Sequence, residues 1–221
     1  MRIGLFGGTF NPIHLGHLRA AIEVKEGFNL DQIFLIPAAL PPHKISGPVI
    51  NADDRLEMIN LAISGLTGIS VSDVELNRSG VSYTIDTVQH FKRSFSDDTR
   101  IYLIMGLDAF LEIDTWKSYK ELLKKIPFIV IARPDQGLPE ARLGWEILDD
   151  YLKANISEDY EFSESRACYD LAGRQPIHIF DVTALDISSS KIRELVNKGR
   201  PIEFLVPLKV AEFIKSKGFY L

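Results

Sequence analysis

Two histidines three residues apart, His14 and His17, follow the run Gly7-Gly8-Thr9-Phe10-Asn11-Pro12-Ile13 and bracket Leu15 and Gly16. Glycines placed after a strand let the backbone come close to a ligand. The N-terminus of the helix that follows offers free N–H groups and a positive dipole to phosphates. At i, i+3 spacing the two imidazoles share one face of the first helical turn, so both can donate toward one phosphate chain. A zinc site is the poorer reading, because no third ligand stands near. Gly4, Gly7 and Gly8 do not fit the dinucleotide fingerprint, and the sequence holds no P-loop. A second candidate lies far downstream, in Ile187-Ser188-Ser189-Ser190-Lys191-Ile192-Arg193. Serine hydroxyls and N–H groups at a helix start suit an anion, and Lys191 and Arg193 add charge. Alone, that segment reads as a serine N-cap. Beside the histidine run it reads as a second anion site.

Strand-like apolar runs alternate with helical periodicity, the pattern of a parallel sheet covered by helices. Strands are expected at Arg2–Gly7, Gln32–Pro37, Ile69–Val74, Ile101–Gly106, Phe128–Ala132 and Ile177–Val182. Helices are expected at Leu15–Gly27, closed by that glycine, and at Asp53–Gly65, capped by Asp53. Further helices are expected at Thr84–Phe95, Ser188–Lys198 and Pro207–Lys217, the last ended by Gly218. The stretch Pro134–Pro176 is polar and acidic with scattered aromatics, which predicts a helix near Glu140–Ala154 followed by a loop. The expected architecture is α/β, a Rossmann-like doubly wound parallel sheet flanked by helices. It forms a single domain over 1–221 with a peripheral insertion at 135–176. In such sheets ligands gather at the carboxyl ends of the strands. Gly7–Thr9, Pro37, Gly106 and Arg133 all fall there, and they predict one shared crevice at the topological switch point.

The 221 residues carry a formal charge of −5 and 46% hydrophobic side chains. That permits a full core and argues against nucleic-acid binding driven by bulk charge. The apolar runs around Ile33–Leu40 and Phe128–Ala132 are too short to span a bilayer. Met1–Phe6 leads into Gly7-Gly8-Thr9-Phe10 rather than a cleavage site, so it reads as a strand. The lone Cys168 excludes an internal disulfide and fits a reducing cytoplasm as an inert, half-buried thiol. No nucleic-acid or membrane partner is expected, and a homo-oligomer is left open. Pro41-Pro42 stiffens a loop that should display His43 and Lys44. Trp116 is either a core plug or a stacking platform. Arg55 reads as an ion-pair residue, and His90 and His178 as structural.

The segments His14-x-Gly-His17 and Ile187-Ser-Ser-Ser-x-x-Arg193 together resemble the nucleotidyltransferase superfamily. Pro41-Pro42-His43-Lys44, Arg55, Ser82-Tyr83-Thr84, Gly106-x-Asp108, Trp116 and Ala132-Arg133-Pro134 are similar to the motifs of bacterial-type nicotinate-nucleotide adenylyltransferases. They occur in order over nearly the whole chain, outside the stretch between Pro134 and Pro176. The resemblance implies adenylyl transfer from ATP to nicotinate mononucleotide, with release of pyrophosphate, in NAD biosynthesis. It implies an ATP site at Gly7, Gly8, Thr9, Phe10, His14, His17, Gly106, Asp108, Ser188, Ser190 and Arg193, with His14, His17 and Arg193 catalytic. It implies a mononucleotide site at His43, Lys44, Tyr83, Thr84, Trp116 and Arg133, the indole stacking on the pyridine ring. Magnesium would enter with ATP, bound through substrate oxygens and water rather than by a protein metal site. Two positions depart from the family pattern. Asn11 stands where Asp is common, and Ala38-Ala39 stand where an asparagine is common. Other members of the superfamily, such as phosphopantetheine adenylyltransferases, account poorly for Ser82-Tyr83-Thr84 and Trp116. A non-catalytic nucleotide-binding module would not need His14, His17 and Arg193. A class I aminoacyl-tRNA synthetase core shares the His-x-Gly-His signature, but the chain has no room for a tRNA-binding domain.

Overall fold

A computed structural model describes residues 1–39, 49–78, 80–132 and 144–221. Among these residues eight strands form one sheet: β1 Arg2–Gly8, β2 Gln32–Pro37, β3 Ile69–Val71, β4 Arg100–Gly106, β5 Phe128–Ala132, β6 Glu161–Ser163, β7 Cys168–Asp170 and β8 Ile177–Asp181. Their spatial order is β3-β2-β1-β4-β5-β8-β7-β6. The six strands from β3 to β8 in that order pair in parallel, and β7 and β6 continue the sheet antiparallel. β1 therefore lies at the switch point, where the winding of the sheet reverses toward β2 on one side and β4 on the other. Its alternation shows why the sheet is buried on both faces: Phe6 packs into one core, Ile3 and Leu5 into the other.

Among the described residues eight helices cover those faces: α1 Leu15–Gly27, α2 Ala52–Ile63, α3 Thr84–Ser94, α4 Leu107–Phe110, α5 Tyr119–Lys125, α6 Gly144–Tyr151, α7 Ser189–Asn197 and α8 Leu208–Lys217. α1, α2, α7 and α8 bury Leu18, Met58, Ile192 and Val210 on one face. α3, α4, α5 and α6 bury Val88, Phe110, Leu122 and Leu148 on the other. Among the described residues no helix is long and apolar enough to cross a membrane.

Several local expectations change. α2 is capped by Asn51, whose Oδ1 accepts the Asp54 N–H at 2.8 Å, and Asp53 sits inside the first turn. Gly27 does not end α1 through a left-handed turn. It is small because a Cβ there would lie 2.5 Å from the Phe180 ring. Gly218 does adopt φ 64° and closes α8. The polar stretch read as a helix and a loop holds α6, a π-helical turn at Leu152–Ile156, and then β6 and β7. Those two strands are only three residues long, too short for period-two alternation to mark them. Leu148, Leu152, Tyr160 and Tyr169 of this stretch all lie in the second core. Cys168 is fully buried rather than half-buried. Burial pushes its thiol up to about 11, and the neighbouring Asp170 adds to the effect, so it stays a protonated, unreactive thiol at neutral pH.

Candidate active site

The crevice opens at the carboxyl ends of β1, β2 and β4. Gly7 leaves open space, since a Cβ there would meet nothing within 4 Å. Phe10 adopts φ 49°, a left-handed backbone rare for an aromatic residue. Such strain persists only where the surroundings hold it. Here the buried ring packs edge-on against Phe6 and, at 5.1 Å, against His17.

His14 is the N-cap residue of α1 and only 2% exposed. Its backbone N–H donates to His17 Nδ1 at 3.3 Å. With Nδ1 accepting, a neutral His17 carries its proton on Nε2 and keeps that nitrogen as a donor. The two imidazoles lie 3.7 Å apart. Gly16 makes this possible, because a Cβ there would press to 3.1 Å from the His14 ring. The histidine pair and the glycine between them are one packed unit.

The serine-rich helix start meets that unit from the far end of the chain. Ser188 caps α7 by accepting the Lys191 N–H at 3.2 Å. Ser189 Oγ donates to the Pro12 carbonyl at 2.8 Å. Arg193 donates through Nη1 to the Asn11 carbonyl at 2.9 Å and through Nη2 to Ser190 Oγ at 3.1 Å. α7 is thus stapled to the loop that leads into the histidines. Asn11 Oδ1 accepts from the Tyr220 hydroxyl at 2.8 Å and from the Ile50 N–H at 3.4 Å. Burial raises the Tyr220 pKa, so this donor keeps its proton. A neutral amide meets the requirement at Asn11, whereas a carboxylate would bring a buried charge.

Arg55 corrects the ion-pair reading. It is 1% exposed and donates to main-chain carbonyls: Thr9 at 2.7 Å, Ala38 at 2.7 Å and Ile50 at 3.1 Å. Burial lowers its pKa. The guanidinium ties the end of β1 to the end of β2, and the Ala38 N–H adds a bond to the Gly8 carbonyl at 3.0 Å. The two alanines that depart from the family pattern therefore work through their backbone: Ala39 N–H donates to Ser82 Oγ at 3.0 Å. Gly106 ends β4 and is followed by Asp108, exposed on the first turn of α4. A Cβ at Gly106 would run into Asp108 Oδ1.

Beside this loop lies a cavity of about 270 Å³. Gly7, Gly8 and Thr9 form one rim, and Leu5, Ile36, Val88 and Leu103 supply apolar wall. Ser82, Tyr83 and Thr84 enter from the start of α3, and Trp116 and Lys117 from beyond the short 3₁₀ turn Ile113–Thr115. Trp116 is half-buried, packed on the second core with one side and lining the cavity with the other. His90 and His178 do not line it. His43, Lys44 and Arg133 lie outside the described residues. Sequence reading missed Arg55's role, and it missed Glu75, Thr87 and Lys117, which also line the cavity. Thr87 had a signal, since it stands one helical turn after Thr84 on the same face of α3. Among the described residues no cluster of three or more His, Cys, Asp or Glu side chains could hold a metal ion.

The Cytidylyltransferase-like family matches residues 5–195. A protein of Desulfatibacillum aliphaticivorans named "Probable nicotinate-nucleotide adenylyltransferase" is 43% identical over 225 residues, covering 100% of both chains. One of the same name from Moorella thermoacetica is 39% identical, covering 99% of this chain and 91% of its own. Among solved structures, Plasmodium falciparum nicotinic acid mononucleotide adenylyltransferase complexed with NaAD superposes with a TM-score of 0.72. The identity is 18%, over 99% of this chain and 97% of that one, so this likeness speaks for the fold alone.

Proposed function

Because the chain belongs to the Cytidylyltransferase-like family, and within it to the nicotinate-nucleotide adenylyltransferases, we propose how its crevice carries out that reaction. The enzyme transfers the adenylyl group of ATP to nicotinate mononucleotide, giving nicotinate adenine dinucleotide and pyrophosphate in NAD biosynthesis. The observation that carries the reading is that Gly7, Gly8 and Thr9 border the ring cavity and run directly into the loop that leads to His14 and His17 at the start of α1. Two nucleotides laid end to end would meet at that loop.

A phosphate oxygen of the mononucleotide attacks the α-phosphorus of ATP in line. The new P–O bond forms as the α–β bridging bond breaks, and pyrophosphate carries the charge away. The nucleophile is already an anion, so no general base and no covalent enzyme intermediate are required. Catalysis is positioning and charge stabilisation. His14 and His17 donate to the phosphates, Arg193 and the α7 N-terminus hold the triphosphate opposite them, and Gly106 and Asp108 take the adenosine. Ser188 and Ser190 serve through the capped helix and through Arg193. Tyr83, Thr84 and Trp116 frame the pyridine ring, and His43, Lys44 and Arg133 contribute to binding the mononucleotide. Nucleotidyltransferases generally use a divalent metal with ATP. Here we assign magnesium, carried on phosphate oxygens and water. We take 1–221 as one domain with a peripheral insertion at 135–176, working in the cytoplasm on these two substrates.

The start of α3 offers N–H groups and hydroxyls to the ring edge, which suits an acceptor-only carboxylate better than an amide. An unpaired buried amide costs about 1–3 kcal/mol, roughly a 5- to 150-fold preference for the acid. The test is pyrophosphate release with ATP and a panel of nicotinate mononucleotide, nicotinamide mononucleotide and pantetheine phosphate. The expected best acceptor is nicotinate mononucleotide. Preference for pantetheine phosphate, or no release with any acceptor, would overturn the proposal.

A further inference from the structure

The ring cavity carries charge of both signs, and the mechanism above uses neither. Lys117 directly follows Trp116 and places Nζ 4.1 Å from the Tyr83 ring centroid and 3.6 Å from Asp86 Oδ2. Its side chain is 49% exposed and that of Asp86 is 42% exposed. The pair is therefore weak and readily exchanged. Glu75 lines the same cavity but is only 8% exposed. Thr87 Oγ1 donates to Glu75 Oε1 at 2.7 Å and accepts from Arg78 Nη2 at 2.7 Å. This chain of bonds fixes the carboxylate in the wall. Apolar neighbours lower the local dielectric, so the sign of a ligand's charge counts for more here than in water.

We infer that Lys117 selects a ring bearing a carboxylate over one bearing a carboxamide, pairing with that carboxylate at the cavity mouth while Glu75 on the wall turns it away from the interior. The inference deepens the reading of this cavity as the pyridine mononucleotide site and rests on it. A ring carboxylate turned toward Glu75 would set two like charges together, which is costly in an apolar pocket. Turned toward Lys117, it exchanges the exposed Asp86 pair for a contact stacked above Tyr83. A carboxamide forms no ion pair with Lys117, and its NH₂ finds an acceptor in Glu75, so it is drawn into the opposite ring orientation. Lys117 is thus a specificity residue that touches substrate and takes no part in phosphoryl transfer.

The experiment compares kcat/KM for nicotinate and nicotinamide mononucleotides at saturating ATP in the wild type, Lys117→Gln, Lys117→Arg and Asp86→Asn. Lys117→Gln should lower the acid-to-amide ratio about tenfold or more, the scale of a lost charged hydrogen bond. It should do so by raising KM for the acid, with KM for ATP unchanged. Lys117→Arg should restore most of the ratio. Asp86→Asn frees the ammonium and should raise the ratio. Added salt should reduce the wild-type ratio but not that of Lys117→Gln. If Lys117 merely supports Tyr83, Lys117→Gln and Asp86→Asn would weaken both substrates in proportion, and an unchanged ratio overturns the inference. A wild-type enzyme that releases pyrophosphate with neither mononucleotide would contradict the function itself, a result distinct from an unchanged ratio.

Discussion

The two ends of the crevice are made differently. At the phosphate end Arg55, Arg193 and Ser189 donate to the main-chain carbonyls of Thr9, Asn11 and Pro12. These bonds tie down the loop, Phe10's left-handed backbone included. At the ring end the walls are mostly apolar side chains from β1, β2, α3 and β4, and the polar groups gather at the mouth and at Glu75. The difference follows from what each end must bind. Developing charge on a phosphate is stabilised by donors that need not reorganise, whereas a flat ring is bound by shape and stacking. Damage to the first end should slow chemistry and weaken ATP, and damage to the second should weaken the mononucleotide.

The largest expected effect tests the phosphate end alone. His17→Ala should cut turnover about 10²–10³-fold, the scale of one lost preorganised donor, in a protein that still folds because little core is removed. Steady-state kinetics check this, and near-normal turnover would erase the contrast. Next comes the scaffold behind that end. Arg55→Met leaves the carbonyls of Thr9, Ala38 and Ile50 without their donor and should cost on the order of 3 kcal/mol. Urea unfolding measures it. An unchanged midpoint would mean the loop is held by something else.

The smallest effect serves as a control remote from both ends. His178 lies near the opposite ends of the strands, packed on Phe28 at 5.2 Å, and burial lowers its pKa below 6.5. The unfolded chain therefore takes up this proton first as pH falls. The folded state loses stability below pH 6.5, until the lower folded value is passed. His178→Gln should flatten that part of the stability profile and leave both Michaelis constants alone. A profile identical to the wild type would show that this histidine does not contribute.

How legible this was depended on range. β2 and α1 have the bounds that periodicity predicted, and the glycine-loop-to-helix junction identified the phosphate end because its residues are adjacent in sequence. Gly27 at the end of α1 is legible as a helix end, but the constraint on it comes from Phe180, far along the chain. Arg55 reads in sequence as an ion-pair residue on the helix expected from Asp53. Its carbonyl partners sit in two other segments that only the folded sheet brings to it. The ring cavity was half legible. Trp116 and Tyr83 stood out by type, but Glu75, Thr87 and Lys117 belong to separate elements with no shared spacing to read. β6 and β7 are too short and polar to signal strands, and their place at the sheet edge is set by pairing with β8.

The division of labour between the two ends is tested most directly by one paired measurement: KM for ATP and for nicotinate mononucleotide in Arg193→Ala and in Trp116→Ala. Arg193→Ala should raise KM for ATP roughly 10- to 150-fold, the worth of a charged hydrogen bond, with little change for the mononucleotide. Trp116→Ala should do the reverse, raising KM for the mononucleotide by roughly 5- to 150-fold, the worth of a stacked ring. That crossed pattern is the predicted result. Equal weakening of both substrates in both variants would contradict a crevice with one end for the triphosphate and the other for the ring.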